Sequence, residues 1–202
     1  MSQEQLARAV FPLGDLTKSE VRARAARAGL PVADKKESME ICFIPGDDYS
    51  RFVESQAEVI DAPGEVVDES GRVLGRHRGI HRYTIGQRRG LGIAASEPLY
   101  VIELRPETRQ VLVGKASALD RTTLVAERVN WLSIPPPESK TRAQVKIRSR
   151  HSGGAAWVEP LASGRARVEF DAPPGAISPG QAAVFYRDDL VLGGGWIARA
   201  RQ

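Results

Sequence analysis

The sequence predicts an α+β fold that is mostly β, with a short helical N-terminal segment, a small central domain of hairpins and a C-terminal antiparallel β-barrel. Three observations lead to this prediction. Apolar residues recur at helical spacing near the N-terminus, turn-forming residues separate strand-like runs in the middle, and several short strand-like runs follow residue 118.

The N-terminal segment has both the beginning and the end of a helix. Residues 15–20 offer capping side chains, Val21 and Ala25 recur at helical spacing, and Gly29 and Pro31 end the pattern. A short apolar run follows at residues 39–44, and residues 49–59 are compatible with a second short helix.

The central part of the chain has the pattern of two hairpins. Residues 64–67 and 72–74 flank the turn sequence Asp-Glu-Ser-Gly, and residues 99–104 and 110–113 flank a five-residue turn. We therefore expect a small hairpin domain here.

Beyond residue 118 the pattern is that of strands alone, with a stiff triple-proline connection at residues 135–137. Short strands at this spacing favour a small closed barrel. The predicted strands are residues 123–129, 141–150, 155–160, 165–170, 182–187, 189–192 and 196–199.

The predicted strand at residues 141–150 alternates apolar and polar side chains. One face enters the core, and the other presents Lys146, Arg148 and Arg150 in a row. Such a face suits contact with a nucleic-acid backbone, although an ordinary solvent-exposed strand face has the same pattern.

The charge of the chain is unevenly distributed. The net charge is +4, residues 70–96 hold six arginines and two histidines without a carboxylate, and residues 139–158 form a second acid-free basic zone. Two basic zones are what a phosphate-binding surface needs. Two solvated faces, balanced by the acidic segment at residues 37–69, are the alternative.

Composition argues against secretion and against membrane insertion. No apolar run approaches the roughly 20 residues that span a bilayer, and the N-terminus lacks the features of a signal peptide. With a single cysteine the fold cannot depend on an internal disulfide, so we expect a cytoplasmic protein.

Cys42 and the glycine-rich basic stretch at residues 75–92 are open to two interpretations each. Cys42 is either a packed core thiol or a thiolate that acts as nucleophile or sulfur carrier. The basic stretch is either a phosphate-binding loop or a set of tight turns. His77 and His81 lack a third ligand, so no metal site is expected. The sequence Ser152-Gly153-Gly154 is interpreted as a turn.

Three motifs resemble those of the bacterial tRNA-specific 2-thiouridylases. They are Glu-Ser-Met-Glu-Ile-Cys-Phe-Ile-Pro around Cys42, Gly-Ile-His-Arg-Tyr-Thr-Ile-Gly-Gln-Arg-Arg-Gly-Leu-Gly at residues 79–92, and Pro-Gly-Gln-Ala-Ala-Val-Phe-Tyr followed by Leu-Gly-Gly-Gly at residues 179–195. The resemblance extends over the chain from about residue 5, in the family's order.

The resemblance implies a sulfur-transfer reaction on tRNA. The family adenylates the C2 carbonyl oxygen of the wobble uridine with ATP, and a cysteine persulfide then supplies sulfur, giving 2-thiouridine and AMP. Cys42 aligns with the cysteine that carries the persulfide. A persulfide is a strong nucleophile and the adenylated oxygen a good leaving group.

The resemblance also implies the partners. The C-terminal barrel binds tRNA, with Arg148, Ser149 and Gln181 at positions of family contacts and Lys146 on the same basic strand. Serine replaces the aromatic residue usual at position 149, which removes a stacking contact but not a backbone one. A sulfur-donor protein, either a cysteine desulfurase or a sulfur relay, is the expected second partner.

The family's ATP loop and first catalytic cysteine have no counterpart in this chain. We therefore expect residues 1–44 to be the tail of an ATP-pyrophosphatase domain, residues 45–118 a central domain and residues 119–202 the tRNA-binding barrel. ATP, and Mg²⁺ with it, is expected to bind the missing domain and not this chain, which alone should be inactive.

Two other functions remain open from the sequence. One is a non-catalytic RNA-binding module with a translation-factor-like barrel, in which Cys42 is only packing. The other is a thiol redox protein, which the lack of a second cysteine disfavours.

Overall fold

The structure is a computed structural model that describes residues 2–35, 52, 62–149 and 151–199. By its contacts the chain divides into two units, Met1–Gln56 and Ala57–Gln202. The described residues are mostly β, with a mixed four-stranded sheet and a closed six-stranded antiparallel barrel, as the sequence predicts. Within the described ranges, no helix has the length and apolar character needed to cross a membrane.

Residues 2–35 of the N-terminal unit contain the short helices α1 (Gln3–Ala7) and α2 (Lys18–Arg27). A capping box begins α2: the Thr17 hydroxyl accepts a hydrogen bond from the Glu20 N–H, and the Glu20 carboxylate accepts one from the Thr17 N–H. Gly29, at φ 65°, follows the end of the helix. The predicted helix is thereby confirmed.

Two sequence predictions in the N-terminal region cannot be compared with the structure. The apolar run at residues 39–44, and the second helix at residues 49–59 apart from Phe52, lie outside the described residues.

The central sheet consists of β1 (Gly64–Val67), β2 (Val73–His77), β3 (Tyr100–Arg105) and β4 (Gln110–Gly114). The pairs β1–β2 and β3–β4 are the two predicted hairpins. The sequence does not predict how they join. β1 pairs in parallel with β4, which gives the order β2-β1-β4-β3 over a core that includes Val66, Val101 and Val111.

The carbonyl oxygen of Arg109 connects the two hairpins. It accepts hydrogen bonds from the Glu65 N–H at 3.2 Å and from Nε2 of His77 at 3.1 Å. Because a carbonyl only accepts, Nε2 carries the proton, and the buried Nδ1 of His77 is left without a partner in the described part of the chain. Gly64 permits this approach, since a Cβ there would lie 1.8 Å from the same oxygen.

Burial determines the protonation of His77. Loss of hydration around the ring lowers the pKa of His77 below its ordinary value of 6.5, and the charge of His81 lowers it further. The hydrogen bond to Arg109 opposes this shift without reversing it. The folded protein therefore holds His77 in the neutral form.

The barrel consists of β5 (Thr123–Trp131), β6 (Thr141–Lys146), β7 (Gly154–Leu161), β8 (Arg165–Phe170), β9 (Ala182–Arg187) and β10 (Leu190–Ile197). It closes in the order β10-β5-β8-β7-β6-β9, with every pair antiparallel. Its core includes Val145, Val158, Val168, Phe185 and Leu192.

The predicted break between residues 192 and 196 is wrong, because β10 runs through it as one strand. Its three central glycines make room for neighbouring backbones and do not form a turn. A Cβ at Gly193, Gly194 or Gly195 would lie 2.5 to 2.7 Å from a backbone oxygen of β5 or β9.

The strand predicted at residues 141–150 is shorter than expected. β6 ends at Lys146, and the Arg148 carbonyl then accepts a hydrogen bond from the His151 N–H at 3.1 Å. The chain turns there so that β7 can start at Gly154. Of the turn predicted at residues 152–154, Gly153, at φ 100°, lies in the connection, whereas Gly154 is already the first residue of β7. Arg150, the third predicted cation of the row, lies outside the described residues.

We expect Gly195→Ala to lower the free energy of unfolding by about 3 kcal/mol, because its Cβ would meet the backbone oxygen of Glu127 at 2.5 Å. The matched control is Gly164→Ala, in a turn at φ 64° with open space around it, which should cost only about 1 kcal/mol of left-handed strain. Urea unfolding measures both. Equal losses would contradict the packing role of Gly195.

We expect stability to fall as the pH is lowered through a window that begins near 6.5, the ordinary pKa of histidine. The unfolded chain binds a proton at His77 near the ordinary value of 6.5, whereas the folded chain, with its lowered pKa, does so only at lower pH. The pKa of His151 is lowered as well, so His151 contributes in the same window and remains in the variant. Asp68 and Asp171 also have lowered pKa values, but their ordinary value is 3.8, so they act at lower pH. Urea unfolding of wild type and His77→Gln across the window should show a weaker pH dependence in the variant, and identical slopes would refute the assignment.

Candidate nucleic-acid interface

Three of the predicted site residues lie where β6 ends and β9 begins. The two strands are antiparallel, with Lys146 opposite Val184. Arg148 follows β6 by two residues, and Gln181 immediately precedes β9. The end of one strand and the beginning of its neighbour share one end of the barrel, so the fold brings together residues more than 30 positions apart in the sequence.

Lys146 projects from the outer face of β6 beside an aromatic ring. Its Nζ lies 5.3 Å from the ring centroid of Tyr186, in the range of a cation–π contact. It makes no ion pair with any carboxylate in the described ranges. Its charge therefore remains available to an anionic partner.

Arg148 is exposed and is held by a loop that precedes β9. Its Nη1 donates a hydrogen bond to the Ala176 carbonyl at 3.3 Å. The guanidinium also lies against Gly175, where an added Cβ would be 3.5 Å from Nη2. Backbone contacts therefore orient Arg148, and they leave its charge unneutralised by any described carboxylate.

The loop that holds Arg148 is itself in contact with the central glycine-rich stretch. A Cβ on Gly86, which has φ 86°, would lie 2.8 Å from the Cβ of Ala176. The backbone of Gly86 is fixed in turn by its N–H donating to the Val101 carbonyl of β3 at 2.7 Å. The phosphate-binding interpretation of residues 75–92 stays a prediction, and this packing contact connects the stretch to the loop that holds Arg148.

Ser149 and Gln181 are exposed at the same end of the barrel. The backbone of Gln181 is fixed, since its carbonyl accepts a hydrogen bond from the Ile197 N–H at 2.8 Å and its N–H donates to the Ser178 carbonyl at 3.2 Å. The Gln181 side-chain amide makes no hydrogen bond within the described ranges. A rigid backbone with an unused amide is suited to hydrogen bonding with a ligand.

His151 lies beside these cations and was not identified from the sequence. Burial lowers the pKa of His151, and the charges of Arg148 and Lys146 lower it further, while a hydrogen bond with the Val145 backbone opposes the shift. Its Nδ1 is buried and has no partner in the described part of the chain. The lowered pKa favours the neutral ring, which adds no positive charge to the surface. The backbone N–H of His151 closes the turn at Arg148.

The second basic zone of the sequence is divided by the fold. The guanidinium of Arg142 makes two hydrogen bonds with the Asp171 carboxylate, which raise the pKa of Arg142 and lower that of Asp171. Lys140 pairs with Glu169 at 3.2 Å. The paired cations lie towards β7 and β8, whereas the unpaired Lys146 and Arg148 lie towards β9.

Cys42, the predicted persulfide residue, lies outside the described residues. The sequence Ser152-Gly153-Gly154 resembles the first residues of the family's ATP loop, but Gly153 turns the chain into β7 and Ala155-Ala156-Trp157 follows. These residues do not fit an ATP site.

Three family models match consecutive parts of the chain. Their descriptions are a tRNA methyl transferase HUP domain at residues 1–46, a tRNA methyl transferase PRC-barrel domain at residues 50–115 and an aminomethyltransferase beta-barrel domain at residues 121–197. Two descriptions refer to methyl transfer to tRNA. Relatives that are similar over 98 to 100% of this chain carry a different name.

Several curated relatives have the name tRNA-specific 2-thiouridylase MnmA. That of Pelobacter propionicus is 52% identical over 201 residues, that of Moorella thermoacetica 50% over 201 residues and that of Syntrophotalea carbinolica 48% over 198 residues. These alignments cover 98 to 100% of this chain and 56% of each relative. The chain therefore spans about half the length of the relatives that it matches.

Proposed function

Because this chain belongs to the tRNA-specific 2-thiouridylase family, we propose that it is part of a tRNA sulfurtransferase that 2-thiolates the wobble uridine. The observation that carries the proposal is the identity of about half of the residues over essentially the whole chain. The unneutralised cations at one end of the barrel support it independently, since RNA binding needs cations that are not engaged with carboxylates.

We propose three parts for the chain, at residues 1–44, 45–118 and 119–202. The three family models, which match residues 1–46, 50–115 and 121–197, support these limits. In this proposal residues 1–44 supply Cys42, the central domain supports the barrel, and the barrel binds tRNA.

We assign tRNA contact to Lys146, Arg148, Ser149 and Gln181. Lys146 and Arg148 offer charge to phosphates, and the Gln181 amide and Ser149 hydroxyl offer hydrogen bonds. The Gly175–Ala176 backbone holds the guanidinium in place before RNA arrives, so little side-chain entropy is lost on binding.

Cys42 is proposed to carry the sulfur as a persulfide, loaded by a cysteine desulfurase or a sulfur relay. The outer sulfur attacks C2 of the adenylated uridine, and the bond from C2 to the adenylated oxygen breaks to release AMP. A reducing thiol must then cleave the bond between the two sulfurs, leaving the outer sulfur on C2 and forming a disulfide with Cys42. This chain has one cysteine, so it does not supply that thiol itself. We propose that ATP and Mg²⁺ bind the portion of the family's proteins that this chain does not span. We propose the cytoplasm as the compartment.

An RNA-binding module without sulfur chemistry is the second candidate, because the unpaired cations would serve it equally well. The two candidates differ at Cys42. A persulfide carrier needs an accessible thiol, whereas a packing cysteine does not.

We expect the chain to bind a wobble-uridine tRNA in the micromolar range at low salt, and to bind it more weakly as salt increases. Lys146→Ala and Arg148→Ala should each weaken binding about three- to tenfold and lower the salt slope by about one. Filter binding across a salt series measures both quantities.

The matched control for these variants is Arg167→Ala. This cation of β8 lies 3.5 Å from Glu159, and its loss should leave the affinity nearly unchanged. An equal loss in all three variants would mean that binding follows total charge. Absence of binding at low salt would place recognition outside this chain and remove the role given to Arg148.

We expect Cys42 of the folded chain to react with a thiol reagent within about tenfold of its rate in urea, because a sulfur carrier must be reachable. Incubation with a cysteine desulfurase and cysteine should add one sulfur by mass, and Cys42→Ser should add none. A thiol that labels only on unfolding would favour the RNA-binding module. The single cysteine makes the assignment unambiguous.

A further inference from the structure

Two partly exposed tryptophans on the outer face of the barrel each lie under an arginine side chain. Trp157 on β7 is 43% exposed and Trp196 on β10 is 48% exposed. Each has an arginine over its ring, Arg142 at 5.3 Å from the centroid of Trp157 and Arg128 at 5.8 Å from that of Trp196. The two pairs are alike in exposure and geometry.

The two pairs differ in the charge that they present. Arg142 is neutralised by its double hydrogen bond with Asp171, and Trp157 stands opposite Glu169 in the β7–β8 register. Arg128 makes no ion pair in the described ranges, although Glu127 precedes it. The Trp196 pair therefore has an available cation, and the Trp157 pair does not.

A β-bulge brings Arg128 and Trp196 to the same side of the sheet. The register of β5 and β10 shifts between Gly194 and Trp196, so that two residues of β5 stand opposite Gly195 alone. Arg128 takes φ 51° within this bulge. Gly195 has no room for a side chain against β5, so the bulge is tightly packed.

The Trp196 pair is continuous with the proposed tRNA surface. Trp196 stands opposite Ala182 of β9, the residue after Gln181. β9 in turn pairs with β6, where Lys146 stands opposite Val184, two residues along β9 from Ala182.

We propose that Trp196 and Arg128 form a further tRNA contact, in which the indole stacks on a nucleotide of the tRNA and Arg128 binds an adjacent phosphate. Exposed aromatic rings stack on RNA bases without requiring a particular sequence, and a neighbouring cation binds the backbone. The contact extends the surface of Lys146, Arg148 and Gln181 across β10 to β5. This inference rests on the proposed tRNA-binding function of the barrel.

Tryptophan fluorescence tests the contact directly. The chain has three tryptophans, and the third, Trp131, packs against the core at 5.7 Å from Phe185. Titration with an unmodified wobble-uridine tRNA transcript should quench the fluorescence of wild type and of Trp157→Phe. In Trp196→Phe the quenching should be largely lost. Quenching retained in Trp196→Phe and lost in Trp157→Phe would overturn the proposal.

Affinity gives a second readout. Trp196→Ala and Arg128→Ala should each weaken tRNA binding about tenfold, whereas Trp157→Ala should leave it within about twofold. Thermal unfolding of each variant shows whether the fold is retained, and the milder Trp196→Phe remains informative if Trp196→Ala unfolds.

The tRNA-binding role of the barrel and the contact at Trp196 and Arg128 can be refuted separately. If wild type does not bind the transcript, the tRNA-binding role of the barrel fails, and this inference fails with it. If wild type binds and Arg148→Ala weakens binding, but Trp196 and Arg128 variants match wild type in affinity and quenching, only this inference is overturned.

Discussion

Strand β10 passes between β9 and β5 with three glycines at its centre, where any side chain would meet a neighbouring backbone. The close approach that this allows closes the barrel. It also fixes the outer surface: Ile197 binds the backbone of Gln181, and Trp196 stands beside Ala182. A packing requirement on one strand therefore determines where several candidate RNA-binding groups lie.

The strands and hairpins were largely predictable because their signals are local. Turn residues and alternating side chains identify a strand from its immediate neighbours in sequence. The parallel pairing of β1 with β4 has no such signal, since it depends on Gly64 leaving room for the carbonyl oxygen of Arg109. The predicted break within β10 was wrong for a related reason. In a sequence, a glycine run has the same appearance whether it forms a turn or allows a close approach of backbones.

The candidate site was predictable in its charges and in its resemblance to a family, but not in its boundaries. Arg142 and Asp171 are 29 residues apart in the chain, so counting charges along the sequence could not show that this cation is neutralised. The Gly175–Ala176 loop was missed because its contact with Arg148 spans 28 residues of sequence. His151 was missed because only the end of β6 at Lys146 turns it back towards Lys146 and Arg148. The sequence shows Trp196 only as an aromatic residue after a glycine run. The bulge at Arg128, which places a cation over its ring, is what suggests a role in RNA binding.

The neutralised cations on one side of the barrel have a consequence for the rate of encounter with RNA. A polyanion approaching the barrel is attracted by the field of the unpaired charges, and the ion pairs towards β7 and β8 offer little competing attraction. The carboxylates of Asp171 and Glu169 therefore orient the approach although they touch no RNA. If the barrel binds tRNA as proposed, its ion-paired side thus helps to orient docking without contacting the RNA.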